Sequence, residues 1–135
     1  MKKRLLAAMM SLAMLLSVLP GTALATESDS GSCGNGVTWS YDGAGKLTIS
    51  GHGEINDYQI EWGSNTPWGN YWQEITQVMI ESGVTRVGYG AFGGAMAANT
   101  YPNLSSVSLP DTLISIGEYA FGGAAISKII LPSSF

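Results

Sequence analysis

The sequence predicts a mainly β fold, in which an N-terminal β-hairpin and cap lead into a short solenoid of repeated coils. Two patterns predict it: apolar and polar residues alternate on both sides of a glycine-rich turn between positions 37 and 50, and one apolar pattern recurs from position 75 onward. The 135 residues, of which 18 are glycine, allow one small domain at most.

The N-terminal segment, 1–25, has the pattern of a secretory signal peptide. Basic residues 2–4 precede an apolar run over 5–19, and a Pro20-Gly21 break leads to the small residues of a cleavage site at 23–25. The apolar run is shorter than the roughly 20 residues that span a bilayer. We therefore expect a secreted or cell-surface protein that is cleaved after Ala25 and does not remain inserted in the membrane.

Charge excludes two classes of partner. Cleavage after Ala25 leaves a mature chain, 26–135, with ten acidic and three basic side chains, so its formal charge is −7 in place of −4 for the whole chain. The three cations, Lys46, Arg86 and Lys128, are scattered, so they cannot neutralise a run of phosphates or attract anionic lipid. The single cysteine, Cys33, has no disulfide partner in the chain and is expected to be a small buried residue, with a reactive or intermolecular thiol as the alternative.

The first part of the mature chain predicts a polar leader, a β-hairpin and an irregular connection. Residues 26–32 are small and polar and are expected to form a disordered leader, so folding would begin near Cys33. In the cap module, 33–74, the segments Val37–Tyr41 and Lys46–Ser50 alternate around a turn of Asp and Gly, which predicts a β-hairpin. A further short strand or turn is expected near position 54, and the connection to position 74 is aromatic and without a clear period.

Internal repeats occupy the predicted solenoid, 75–135. Residues 75–94 align without gaps onto 104–123 at a constant offset of 29, and a third, incomplete copy begins at Ile126, at an offset of 22 from Leu104. The underlying period is therefore 22, with a seven-residue insertion between positions 94 and 104. The repeats run over 75–103, 104–125 and, in part, 126–135.

Each copy predicts a short strand, a turn, a second apolar segment and a helical turn that carries a phenylalanine, Phe92 or Phe121. A unit of this length cannot enclose a core by itself, so neighbouring copies must stack to bury it, and the two phenylalanines are expected to stack in a column. The first strands of the copies are predicted at Val78–Ile80, Val107–Leu109 and Ile129–Leu131.

The pattern L-x-x-V-x-L-P-x-x-L-x-x-I-G-x-x-A-F-G-G, from Leu104 to Gly123, resembles the BspA-type leucine-rich repeat of secreted and cell-surface proteins. The module from Cys33 to Trp68 resembles the segment that often precedes such repeats in gut and rumen bacteria. The resemblance covers about positions 33 to 135 and implies a right-handed solenoid with an adhesion or protein-binding role and no catalysis. Two glycines follow each Ala-Phe pair where many family repeats have Gly-Cys-Ser, which removes the usual additional thiols.

Motifs for cofactors and catalysis are weak. Residues 88–93 fit G-x-G-x-x-G with Asp111 about 20 residues later, as in a dinucleotide site. However, Gly90 corresponds to Tyr119 in the next copy and no long helix follows, so no cofactor is predicted. The only histidine, His52, lies between two glycines and is expected to be solvated. One histidine and one cysteine cannot form a tetrahedral zinc site, so no metal is predicted either.

Carboxylates near tryptophans raise the possibility of glycoside hydrolysis, which needs two acidic residues. Glu54, Asp57 and Glu61 are the candidates. A hairpin and a thin coil leave little room for a deep cleft, so we expect these acids to form a solvated face. No catalytic residue is predicted, and the protein is expected not to be an enzyme.

The aromatic residues allow two interpretations. They could form a flat platform for sugar rings, as in a carbohydrate-binding module, or they could pack as a cap over the first coil of the solenoid, where an open end must be covered. Exposed, coplanar rings would favour sugar binding, whereas buried rings would favour the cap. The residues concerned are Trp62, Trp68, Tyr71 and Trp72.

The predicted binding surface follows from strand alternation, which turns every second side chain away from the core. An extracellular protein or glycan is the expected partner, and the inserted loop, 96–102, is a second candidate surface. A further alternative is that the chain is the first part of a longer repeat protein. The unfinished third repeat has a free edge that could associate, and the oligomeric state stays open. The outward ladders are predicted to be Gln77 with Ser106 and Lys128, and Met79 with Ser108 and Ile130.

Overall fold

The computed structural model describes residues 27–59, 65–93, 101–124 and 126–132. The predicted signal peptide, Glu61, Trp62 and most of the inserted loop lie outside these ranges. Within them the chain forms nine β-strands and one short 3₁₀ helix, Gly69–Tyr71. The strands are β1 (Asp29–Gly34), β2 (Val37–Tyr41), β3 (Lys46–Gly51), β4 (Gly53–Glu54), β5 (Gln77–Ile80), β6 (Val84–Val87), β7 (Ser106–Ser108), β8 (Ser115–Ile116) and β9 (Lys128–Ile130).

Two sheets build the molecule. The larger has six strands in the order β1-β2-β3-β5-β7-β9, and the smaller has three in the order β4-β6-β8. The hairpin strands β1 to β3 pair antiparallel, whereas β3, β5, β7 and β9 are parallel and in register. Leu47, Val78, Val107 and Ile129 therefore lie side by side across the parallel strands.

The second strand of the hairpin is also the first rung of the solenoid. β3 pairs with β5 in the larger sheet, and β4, just after it, pairs with β6 in the smaller sheet. The sheets thus run without a break across position 75, where the sequence pattern indicates the first repeat. This rung is hard to find in the sequence because the offset from Leu47 to its partner Val78 matches neither repeat spacing.

Strand β1 begins earlier than the sequence predicts. The expectation of a disordered leader over 26–32 is wrong for residues 29–32, which pair with β2. The side chains of 29–32 are exposed, whereas Cys33 and Gly34 are buried. Backbone hydrogen bonds to β2, and a 2.7 Å bond from the Tyr71 hydroxyl to Asp29 Oδ2, order a segment that has too little apolar surface to suggest a strand.

An aromatic stack runs through the core along the solenoid axis. The Phe92 ring is stacked between Trp68, at a centroid distance of 5.1 Å, and Phe121, at 5.3 Å. The predicted column of phenylalanines is confirmed, and Trp68 adds a third member from the cap module. The expected helical turns around Phe92 and Phe121 are isolated hydrogen-bonded turns, such as the bond from Ala91 N–H to the Gly88 carbonyl.

Serine and threonine side chains fix the spacing between rungs just before each parallel strand. The Gly45 carbonyl accepts hydrogen bonds from the Thr76 N–H at 2.8 Å and the Thr76 hydroxyl at 3.3 Å. Ser105 bonds the Thr76 carbonyl in the same way, and Ser127 bonds the Ser105 carbonyl. Each rung is thus held to the one before it by a side-chain hydroxyl as well as by the sheet.

Glycine in the Val-Gly and Ile-Gly pairs permits close contact between rungs. A Cβ atom at Gly88 would clash with the carbonyl oxygen of Asn56, and one at Gly117 would lie 2.6 Å from the Tyr89 backbone nitrogen. Neither position can therefore carry a side chain unless the rungs move apart. The glycine recurs in the repeat pattern because backbone packs directly on backbone there.

Candidate functional site

The outer face of the larger sheet brings both predicted ladders together. Strand register places the three residues of each predicted ladder side by side on neighbouring strands. Lys128 and Ile130 are exposed, Ile130 at 47%, and the other four are half-buried between neighbouring strands. The aligned sets are Gln77, Ser106 and Lys128, and Met79, Ser108 and Ile130.

The hairpin extends this face beyond the predicted residues. Lys46 pairs with Gln77 and Thr48 pairs with Met79, so each ladder has a fourth member on β3. Sequence reasoning missed both, although the alternation of 46–50 matches that of 77–80 and could have placed them. Thr48 in turn pairs with Ser40 of β2, which continues its ladder into the antiparallel strands.

Small hydroxyl side chains dominate the outer face. Both lysines of the described residues, Lys46 and Lys128, lie on it at opposite ends of one ladder, whereas Arg86 is paired with Asp57 at 2.8 Å on the smaller sheet. The face is therefore rich in hydrogen-bonding groups and locally cationic on an acidic chain. Its hydroxyl residues are Ser30, Ser32, Thr38, Ser40, Thr48, Ser50, Ser106 and Ser108.

Trp68 is a core residue. Its side chain is 0% exposed, and its Nε1 donates a 3.1 Å hydrogen bond to the Ala91 carbonyl. The rings of Trp39 and Tyr58 pack edge-on against it at 6.2 and 5.7 Å. The interpretation of Trp68 as part of a sugar platform is therefore wrong, because its stacking faces are occupied by the protein.

The other described aromatic candidates also pack against the cap. The Tyr71 ring stacks on Tyr41 at 4.4 Å and is half-buried, and Trp72 is partly buried against the core. Trp62 lies outside the described residues. Among the described rings, then, burial favours the cap over an exposed, coplanar platform.

The Asp57 side chain links the segment after β4 to β6 and to the turn that follows β6. It accepts a 2.7 Å hydrogen bond from the Tyr89 backbone N–H and a 2.8 Å bond from Arg86 Nη1. These contacts, the backbone bond first, hold the pKa of the Asp57 carboxyl below its usual value. The carboxylate thus has a structural role, while Glu54 is exposed and lines a small polar cleft.

The remaining candidate groups are the metal-ligating and nucleophilic side chains. No cluster of three or more His, Cys, Asp or Glu side chains that could hold a metal occurs in the described part of the chain. His52 is exposed, and Cys33 is fully buried, which raises the pKa of its thiol to about 12. No helix in the described ranges is long and apolar enough to cross a membrane.

The G-x-G-x-x-G segment is a turn of the solenoid. Gly90 has φ of 65°, and Tyr119, which the repeat alignment places at the same position, has φ of 57°. The two copies therefore share one backbone conformation, although only one has glycine there. A phosphate-binding loop would instead open a helix, and here the segment forms a turn.

Comparison with known proteins supports the repeat interpretation. Residues 70–135 match the BspA type leucine rich repeat region (6 copies). The fold is similar to the crystal structure of a leucine-rich repeat protein from Eubacterium ventriosum ATCC 27560, with a TM-score of 0.60 and 27% identity over 76% of this chain. The chain spans 28% of that protein. No curated protein matches the sequence.

Proposed function

Residues 70–135 form a BspA-type leucine-rich repeat region, and from this premise we propose that the protein is a secreted, non-catalytic binding protein of the bacterial surface or its surroundings. Its partner is an extracellular protein or glycan, bound through the repeat surface. Secretion rests on the signal-peptide pattern of residues 1–25 and cleavage after Ala25. The mature chain, 26–135, is acidic and has three scattered cations, so it is unsuited to nucleic acid.

The observation that carries the proposal is the continuous outer face of the six-stranded sheet. Parallel strands align Met79 with Ser108 and Ile130, and the hairpin adds Thr48 to the same ladder. Repeat proteins bind their partners on such extended surfaces. Short hydroxyl side chains add donors and acceptors at a small cost in conformational entropy, and Met79 and Ile130 supply apolar contact.

A binding screen with matched variants tests this function. The secreted chain is immobilised and exposed to extracellular matrix proteins and to a glycan array, and each ligand that binds is titrated again with two serine variants. Ser108→Asp places a charge on the outer face of the larger sheet, and Ser115→Asp places the same charge on exposed β8 of the smaller sheet. We expect the first to weaken binding at least tenfold and the second to change it less than about twofold.

Two outcomes would contradict the proposal. Equal effects of Ser108→Asp and Ser115→Asp would place the binding surface elsewhere on the molecule. A hydrolytic activity in the purified chain, with no binding to any ligand of the screen, would contradict the non-catalytic role. Circular dichroism of both variants separates a lost contact from a lost fold.

A further inference from the structure

A small polar cleft opens beside β4, the first strand of the smaller sheet. Its volume is about 280 Å³, and it lies between β4 and the turn that joins β1 to β2. None of the ladder residues of the larger sheet lines it, so the cleft is separate from the proposed binding surface. The lining residues are Asn35, Gly53, Glu54 and Asn56.

Backbone hydrogen bonds hold the two walls of the cleft together. The His52 N–H donates to the Gly36 carbonyl at 2.9 Å, and the Asn56 N–H donates to the Cys33 carbonyl at 2.8 Å. These bonds join the residues on both sides of β4 to the β1–β2 turn. The walls are therefore fixed before any ligand arrives, which lowers the cost of ordering them on binding.

Glu54 gives the cleft a main-chain donor. The N–H groups of Gly53 and Ile55, on either side of it, donate to carbonyls of the next rung at 3.1 and 2.9 Å. Because successive N–H groups of a strand point to opposite sides, the Glu54 N–H points away from β6 and toward the turn. It has no hydrogen bond to another residue of the described ranges.

The side chains of the cleft offer both donors and acceptors. Asn35, Glu54 and Asn56 are all exposed, so their polar groups are accessible. Each carboxamide has donors and an acceptor, and the carboxylate accepts. The Asn56 side chain is held beside the Tyr58 hydroxyl, which itself donates a 3.3 Å hydrogen bond to the Cys33 carbonyl.

This set of groups selects against several ligand classes. No apolar side chain lines the cleft, which disfavours an apolar ligand, and the Glu54 carboxylate repels an anion. Calcium takes about six to eight oxygen ligands and binds more tightly as their charge increases, whereas this cleft has one carboxylate and points an N–H group inward. An uncharged ligand that carries many hydroxyl groups fits these constraints.

We propose that the cleft binds one uncharged sugar residue of a glycan. A hydroxyl both donates and accepts, so one sugar hydroxyl can donate to the Glu54 carboxylate while its neighbour accepts from the Glu54 N–H or from an asparagine amide. The volume lies just below the range of about 300 to 1,000 Å³ that is usual for drug-sized ligands, so it suits one sugar ring. The site is additional to the proposed binding surface and does not depend on it.

Nuclear magnetic resonance of the secreted chain, labelled with ¹⁵N, tests this site. The probes are galactose, mannose, fucose and N-acetylglucosamine, each added as the free monosaccharide. We expect at least one of them to shift the Glu54 backbone signal and the side-chain amide signals of Asn35 and Asn56 together, with a saturable, millimolar dissociation constant. Glu54→Ala should weaken that sugar at least tenfold, whereas Glu118→Ala, the same change at an exposed acid outside the cleft, should alter its affinity less than about twofold.

Three outcomes would overturn the proposal. They are the absence of a saturable shift with every sugar of the panel, equal effects of Glu54→Ala and Glu118→Ala, and tighter binding of calcium chloride, added alone, to the same signals. The remaining amide signals show whether each variant keeps the fold. Ser108→Asp on the larger sheet should leave the sugar affinity unchanged within about twofold, so the cleft and the proposed binding surface are tested separately.

Discussion

Phe92 is the side chain on which the aromatic stack depends most. It is 0% exposed, its ring lies between those of Trp68 and Phe121, and Tyr101 packs edge-on against it at 6.4 Å. Phe92→Ala removes the middle of the stack and leaves a cavity between two rungs. We expect the free energy of unfolding to fall by about 3 to 5 kcal/mol, the usual cost of such a truncation in a core.

The control is Phe121→Ala at the end of the same stack. Phe121 is half-buried and has one stacked neighbour, Phe92, so its truncation should cost about half as much. Phe92→Leu keeps most of the volume and loses the ring contacts, with an expected cost of about 1 to 2 kcal/mol. The order of destabilisation is therefore Phe92→Ala, then Phe121→Ala and Phe92→Leu.

Urea unfolding followed by tryptophan fluorescence and by far-ultraviolet circular dichroism measures these differences. A domain of this size has about 5 to 15 kcal/mol of stability in total, so Phe92→Ala should remove at least about a fifth of it and shift the urea midpoint clearly downward. The reasoning is refuted if Phe121→Ala destabilises as much as Phe92→Ala, because the two rings would then not differ as the middle and the end of one stack.

Three further changes test other parts of the structure. Gly90→Ala should lower the free energy of unfolding by about 1 kcal/mol because φ is 65° there. At Tyr119, where φ is 57°, Tyr119→Gly relieves a similar backbone strain but removes the edge-on contact with the Tyr89 ring at 5.8 Å, so the two effects should largely offset each other; chemical denaturation measures both variants. The pKa of Asp57 is lowered in the folded state, so its contribution is present above its ordinary pKa near 3.8 and is lost as pH falls through the folded pKa. Its side chain is 62% exposed, so Asp57→Asn should cost less than about 1 kcal/mol at pH 7 and remove part of the pH dependence below pH 4. Burial raises the pKa of the Cys33 thiol to about 12, so a thiol reagent at pH 8 should react no faster than the protein unfolds.

The parts of the fold that the sequence predicts best are those with a strict period. β2 has the predicted bounds, Val37–Tyr41, and β3 extends one residue beyond the predicted segment. The constant offset between the first two copies placed Ser106 beside Gln77 and Phe121 on Phe92, as the structure has them. In both cases the pattern works because apolar side chains at a fixed spacing must reach the same core.

The parts that sequence reasoning missed are fixed by contacts between segments that are distant in the chain. β1 forms through its backbone bonds to β2, and nothing in its small polar side chains reports that pairing. The burial of Trp68 could not be predicted from its neighbours in the sequence either, because it depends on Phe92 and Ala91 of the first repeat. The sequence predicts only part of the candidate surface. Its ladders on the repeats follow from strand alternation, but their extension to Thr48 depends on the pairing of β3 with β5.

The two ends of the six-stranded sheet differ in a way that a regular repeat would not produce. At the N-terminal end β1 and β2 turn the sheet antiparallel, and the aromatic rings of Trp39 and Trp68 close the core beneath them. At the other end β9 continues the parallel pattern and leaves Ile129 half-exposed. The hairpin and the two rings therefore act as an N-terminal cap, from which parallel pairing continues strand by strand through β5, β7 and β9. The outer ladders keep their register across the junction between cap and repeats, because Thr48 of β3 pairs with Met79 of β5, so the proposed binding surface extends over both parts of the sheet.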